Sequence, residues 1–126
     1  EAIKALVSMR SVLRDGGIVV IDQGQTDASM NNPAKFAPIV NERDYSRIFV
    51  MEYFGKEMEI NILDLVHSAH ETDFVVSKVR IAIRLQDDWR RMLESAGFSQ
   101  IGFFGGWDFE PYNKDTSKRL ILTAGS

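Results

Sequence analysis

The chain has no cysteine, so disulfides, thiolate metal ligands and thiol nucleophiles are excluded at once. It also lacks any long apolar run. Nothing approaches the ~20 consecutive apolar residues that a membrane-spanning helix needs, and no basic segment leads into a short apolar one as in a signal peptide. Basic charge is scarce as well: 15 Lys and Arg stand against 18 Asp and Glu, for a formal net charge of -3. Nucleic-acid and anionic-membrane surfaces need clustered Lys and Arg, so neither partner is expected. With no leader pattern and no cysteine, the expected location is cytoplasmic. A further lack is the G-x-G-x-x-G pattern, whose backbone cradles a pyrophosphate or approaches a nucleotide closely.

What is present suits one compact α/β domain: 126 residues, 44% hydrophobic and 26% charged. The organising stretch is LRDGGIVVIDQG, Leu13 to Gly24. Four apolar residues, Ile18 to Ile21, run without interruption into Asp22, as in an inner strand buried on both faces. Ahead of them, Ala2 to Arg14 places Ile3, Leu6, Val7, Met9, Val12 and Leu13 largely on one helical stripe, with Gly16 or Gly17 ending the helix. The chain opens at Glu1, already inside this pattern, so it is expected to be a piece of something longer.

Residues 25–46, rich in Asn, Gly, Pro and Ser, read as a long loop. Such loops are uncommon in compact domains unless they act on something, and this one follows the C-terminal end of a sheet strand, where open α/β sheets hold their ligands. Residues 47–85 change texture. Ile60 and Ile62, then Val79, Ile81 and Ile83, alternate with period two, with short breaks at Gly55 to Glu57 and Ala69 to Asp73, which predicts an antiparallel meander of about three strands. Phe49, Tyr53 and Phe74 of this block, with Trp107, are expected to line a buried concave face. Residues 86–126 return to helix and strand. Asp87 or Asp88 caps a helix to Ser95, strands follow at Ile101 to Phe104 and Arg119 to Ala124, and a turn-rich loop with Pro111 lies between them.

Several side chains can carry chemistry. Asp22, Gln23 and Gln25 stand just past the organising strand, where they either reach polar groups of a substrate or cap a loop. Arg43 and Arg47 can hold a substrate carboxylate through paired donors, or pair with Glu42 or Asp44 on the surface. Arg80 and Arg84 alternate onto one strand face. His67 and His70, near Glu71 and Asp73, read as a polar hairpin end rather than a metal site, because spacing three points them apart off a helix.

GGIVVID after an amphipathic helix, LESAGF leading into a strand, FGGWDFEPY, and a closing SKRLILTAG together resemble the C-terminal half of a class I S-adenosylmethionine-dependent methyltransferase. FGGWDFEPY is similar to the GDFxPY segment of the glycine N-methyltransferase group, and RDYSRI resembles a stretch that follows the fifth strand there. The resemblance implies a Rossmann-like sheet: strand five at Ile18 to Asp22, strand six at Ile101 to Phe104, and strand seven, Leu120 to Ala124, antiparallel between them. The meander would be an insertion after strand five that helps cover the substrate.

It further implies that Tyr112 projects its hydroxyl toward the methyl-transfer pocket, that the methyl acceptor is a small molecule, and that the cofactor is S-adenosylmethionine. In that family the glycine-rich loop and the acid on the cofactor ribose lie upstream of the matching segments. Weak cofactor binding and no turnover are therefore expected of these residues alone, with no cofactor-binding and no metal residues among them. Removing the neighbour of strand five leaves a bare apolar edge, so a homodimer or swapped assembly is expected to cover it. The competing reading is a stand-alone α+β ligand-binding or dimerisation module built on the meander.

Overall fold

A computed structural model describes all residues, Glu1–Ser126. The chain divides into two compact units, one made of residues 1–32 and 84–126, the other of residues 33–83.

The first unit opens with α1 (Ala2–Ser11), which stops three residues short of Arg14. Val12 and Leu13 still donate backbone bonds back to Met9 and Arg10, after which Arg14 to Gly17 closes a tight turn. Both glycines are needed there: Gly16 sits at a φ of +72°, and a Cβ on Gly17 would fall 2.9 Å from the Arg14 carbonyl oxygen. The chain then enters β1 (Ile18–Gln23), a single turn of helix α2 (Asp27–Asn31) and, beyond the second unit, α3 (Gln86–Ser95), β6 (Gln100–Phe104) and β7 (Leu120–Gly125).

The three strands form one sheet with β7 in the middle, antiparallel to both β1 and β6. Position decides burial: Leu120, Ile121 and Leu122 of the middle strand are fully buried. Leu122 and Ala124 share a core with Leu6 of α1, with Leu93 and Ala96 of α3, and with Phe98. Each fully buried Leu or Phe contributes about 1.5–3 kcal/mol of hydrophobic stabilisation. Leu85 donates its backbone N–H to Asp88 Oδ2 at 3.2 Å, which starts α3.

The second unit is a four-stranded antiparallel sheet in chain order: β2 (Phe36–Asn41), β3 (Tyr45–Phe54), β4 (Glu57–His67) and β5 (Thr72–Ala82). β3 and β4 are joined by Gly55 and Lys56, with Gly55 at a φ of +62°, as a two-residue turn of primed type requires at its first position. β2 pairs with β3 through a register shift between Pro38 and Val40. A bulge is where a strand tolerates a proline that cannot donate to the ladder.

Three expectations change. Residues 25–46 are not one loop, since they hold α2 and β2, and the meander accordingly has four strands. The apolar run Ile18 to Ile21 is an edge strand within this chain, with Ile18 and Val20 exposed and only β7 beside it. Phe49, Tyr53, Phe74 and Trp107 do not line one buried face. Phe74 and Trp107 are more than half exposed, and the register puts Phe49 beside Ile62 and Ser77 but Phe74 beside Leu65 and Ser46, on the opposite face.

Candidate functional site

Strand direction gathers the polar residues of the first unit at one end of its sheet. β1 and β6 run the same way and β7 runs against them, so the exit of β1, the exit of β6 and the entry of β7 coincide. Residues 23–27, 104–112 and 116–119 therefore share that end.

Leaving β1, Asp22 lies 3.8 Å from the Arg119 guanidinium at the entry of β7. Gln23 donates its side-chain amide to the Gln25 side-chain oxygen and also lies 3.5 Å from the Arg84 carbonyl. The chain then turns into α2 through a reciprocal cap: the Ser29 N–H donates to Thr26 Oγ1 at 3.0 Å, and the Thr26 N–H donates to Ser29 Oγ at 3.0 Å. Thr26 is fully buried, so this cap replaces water at the helix start.

Leaving β6, Gly105 donates to the Glu110 carbonyl at 2.9 Å and Tyr112 to the Phe103 carbonyl at 3.2 Å, which folds residues 105–112 into a compact turn. Phe109 holds a φ of 60° within it, a left-handed conformation costing roughly 1–2 kcal/mol outside glycine. Its ring stands edge-on to Phe104, with centroids 5.3 Å apart, an arrangement that contributes about 0.5–1.5 kcal/mol in return. Asn113, Ser117 and Asp115 bond among themselves and fix the next loop, while Lys114 reaches Asp87 at 2.7 Å.

The two loops meet at Tyr112 and Asp27. The Tyr112 hydroxyl donates to Asp27 Oδ2 at 2.8 Å and accepts the Asp27 backbone N–H at 2.9 Å. Burial, above all, pushes the phenol up to about 12, and the neighbouring carboxylate adds to the shift. At neutral pH Tyr112 is a proton-bearing donor and acceptor.

Two cavities flank the segment Thr116 to Lys118. One, of about 340 Å³, is lined on its far side by Gly105, Glu110 and Asn113. The other, of about 390 Å³, is closed by Thr26, Ser29, Asn32 and Asp115. Both fall in the small-ligand range; the first presents mainly polar surface, whereas the second presents more apolar than polar surface beside its hydroxyls and the Lys118 amine. Such linings suit a molecule that carries both hydrogen-bonding groups and an apolar part.

Of the residues expected from sequence, the structure brings Asp22, Gln23, Gln25 and Tyr112 together at this end of the first unit. Arg43 and Arg47 belong to the second unit. There Arg47 is committed to a bidentate pair with Asp64, at 2.7 and 3.0 Å, rather than to Glu42 or Asp44. Tyr45 also donates to Asp64, at 2.6 Å. The guanidinium first, then the phenol, holds the Asp64 carboxyl down at about 2. Arg43 is exposed and makes no ion pair. His67 lies 3.4 Å from Ser46 Oγ and 3.3 Å from Thr72 Oγ1, in a polar chain along the sheet. Sequence reasoning missed Thr26, Asp27 and Lys118. The available signal was Thr26-Asp27-Ala28-Ser29, a hydroxyl cap three residues ahead of its reciprocal partner.

No protein-family model and no curated protein matches this chain. Solved structures do. An S-adenosylmethionine-dependent methyltransferase from Clostridium acetobutylicum superposes with a TM-score of 0.78 at 10% identity, over 97% of this chain and 49% of that one. The likeness is one of fold. The CcbJ methyltransferase from Streptomyces caelestis gives 0.76 at 12% identity, over 98% of this chain and 52% of that one. CalS10, an amino pentose methyltransferase from Micromonospora echinaspora, gives 0.71 at 15% identity, over 98% and 50%. The chain thus has an α/β methyltransferase-type fold and spans about half the length of the structures it matches.

Proposed function

We propose that this chain is the acceptor side of an S-adenosylmethionine-dependent methyltransferase acting on a small molecule. The observation that carries the reading is topological. An antiparallel middle strand between β1 and β6, with a β meander inserted between β1 and α3, follows the matched methyltransferases along nearly the whole chain. The two cavities lie at the sheet end where α/β folds place their ligands.

The residues present do not fit a complete cofactor site. Adenosine and methionine groups need a closely approaching glycine-rich backbone and a carboxylate for two ribose hydroxyls, and no G-x-G-x-x-G stands in the 126 residues. The chain's own part is to bind and orient the acceptor. Asp22, Gln23 and Gln25 would contact its polar groups. Tyr112 donates its proton to Asp27 and accepts from the Asp27 N–H and the Thr26 side chain, so its part would be to fix Asp27 toward the acceptor. CalS10 is an amino pentose methyltransferase and KedS8, another matched structure, a sugar N-methyltransferase, so the acceptor we favour is an amine on a polyhydroxylated molecule rather than glycine. The Asp27 carboxylate would accept an N–H of that amine and direct its lone pair. The open edge of β1 would be closed by a further strand, from the same polypeptide or from a second copy in a homodimer or swapped assembly.

The coding sequence ahead of Glu1 tests the reading. An apolar strand running into a GxG-type loop, with an acid about 20 residues on, is expected; a start codon immediately before Glu1 would refute it. Tight S-adenosylmethionine binding by the 126 residues, seen calorimetrically, would refute the division of the site.

A further inference from the structure

The cavity of about 340 Å³ holds a donor and an acceptor that the fold leaves unmatched. Ser117 Oγ accepts the Asn113 N–H at 2.9 Å, which fixes the oxygen and leaves its own proton to give. The Glu110 side chain has neither a hydrogen bond nor an ion pair. Both oxygens crowd one bare face of Gly105, where a Cβ would stand 2.7 Å from Ser117 Oγ and 3.3 Å from Glu110 Oε1. They are not bonded to each other, yet a single oxygen at ordinary hydrogen-bond lengths, about 2.8 Å to each, can join them. The φ of Gly105 is not positive, so the backbone does not demand glycine at this position. Only the room in front of it does.

We infer that Gly105, Glu110 and Ser117 form a subsite that reads a hydroxyl, so that this cavity selects a neutral polyhydroxylated ring. A hydroxyl fits because it gives its proton to one oxygen while accepting the proton of the other. An ammonium has only donors, so it would satisfy Glu110, leave Ser117 unmatched and meet the Lys118 amine in the same cavity. A carboxylate or phosphate would suit Ser117 and Lys118 but would be repelled by Glu110. The neighbouring hydroxyl of a ring also finds partners. Asn113 Oδ1 is taken by the Asp115 N–H at 2.8 Å, which leaves the Asn113 side-chain amide to donate, and the Thr116 hydroxyl can do either. The inference rests on reading the first unit as the acceptor side. Thr116 to Lys118 divides this cavity from the one beside Thr26, so the reacting amine belongs beside Asp27 and the hydroxyls farther along the molecule belong here.

Amide NMR of the protein titrated with methyl β-D-glucopyranoside tests the subsite. The Gly105, Glu110 and Ser117 signals should shift saturably, whereas cyclohexylamine, a six-membered ring with an ammonium and no hydroxyl, should leave them in place. Because the Glu110 side chain holds nothing in the fold, Glu110→Ala should keep the wild-type urea midpoint while raising the dissociation constant for the glucoside about tenfold. Glu110→Gln, which keeps the shape and one oxygen, should fall between the two. Gly105→Ala, which fills the space in front of both oxygens, should abolish the shifts. Saturable binding of cyclohexylamine at these residues would make the subsite a cation site and overturn the inference. So would a glucoside affinity untouched by Glu110→Ala, or signals at Gly105 that no concentration of glucoside moves. Failure of the methyltransferase reading looks different: the coding sequence ahead of Glu1 would lack a cofactor half while the glucoside still bound at Gly105.

Discussion

Replacing Tyr112 by Phe isolates the contact on which the candidate site turns. The ring stays, and only the oxygen that donates to Asp27 Oδ2 and accepts the Asp27 N–H is lost. A hydrogen bond to a charged group contributes about 1.5–3 kcal/mol and a neutral one about 0.5–1.5. Tyr112 is only half-buried, so water recovers part of both, and the net loss should be near 2 kcal/mol. In urea it should appear as a lower midpoint with an unchanged slope. Asp27→Ala removes only the bond to Oδ2 and keeps the backbone N–H bonded to the phenol, so it should cost less, and the double variant should cost about as much as Tyr112→Phe alone. The pH dependence gives a second arm. The phenol titrates near 10 when unfolded and at about 12 when folded, so its contribution is intact below pH 10 and disappears as the pH rises through 12. The stability gap between wild type and Tyr112→Phe should close over that window, and the variant should lack the most alkaline of the three tyrosine steps in an ultraviolet titration. A loss below about 0.5 kcal/mol, or removal of a step near pH 10 instead, would refute the contact and its role in joining the two loops.

Three further changes test other parts of the framework. Leu122→Ala empties a fully buried position in the middle strand and should cost about 2–5 kcal/mol by urea denaturation, whereas a loss under ~1 would mean that the layer collapses freely around it. Phe109→Gly should be nearly neutral, since relief of the positive φ offsets the lost ring contact, while Phe109→Val should destabilise by about 1–2 kcal/mol because a β-branched residue resists that φ; equal effects would show that the backbone strain is absent. Asp64 is held at about 2, chiefly by Arg47, so its contribution is present above its ordinary value of 3.8 and is lost as the pH falls toward 2. Arg47→Lys should move the Asp64 carboxyl titration seen by NMR back toward 3.8, and an unmoved titration would clear the guanidinium as its cause.

The strongly patterned elements were legible in the sequence and the short ones were not. Ile18 to Asp22, the helix before Gly97 and the last two strands carry apolar runs or caps that persist through a whole element. α2 is a single turn, too short for any helical period to register, and it exists because a buried Thr26 caps it. β2 contains a proline and a register shift, both of which read locally as loop, and β3 overrides them by supplying the ladder. The same limit applied to side chains. Tyr112 was legible through the wording around it, but its partner Asp27 lies 85 residues away, and no local pattern links the two. Arg47 was legible as a guanidinium in need of a carboxylate. Which carboxylate was decided by the β3–β4 register, which sets Arg47 opposite Asp64.

The antiparallel middle strand explains why one end of the first unit collects so much polar chemistry. In a purely parallel sheet every strand would leave toward the site, and each return would need a crossover. Because β7 enters where β1 and β6 exit, the short connection from β6 to β7 stays at the site and becomes a wall of it, with Glu110, Asn113, Ser117 and Lys118 along its length. That wall is braced by its own turns and by Tyr112, while the cap at Thr26 braces the wall that follows β1. Substitutions at Asn32 and Lys118, which line a cavity without holding either loop together, should therefore change which small molecule fits while leaving the urea midpoint within about 0.5 kcal/mol of wild type. Larger losses there would show that the cavity is part of the fold's support and not space left open for a ligand.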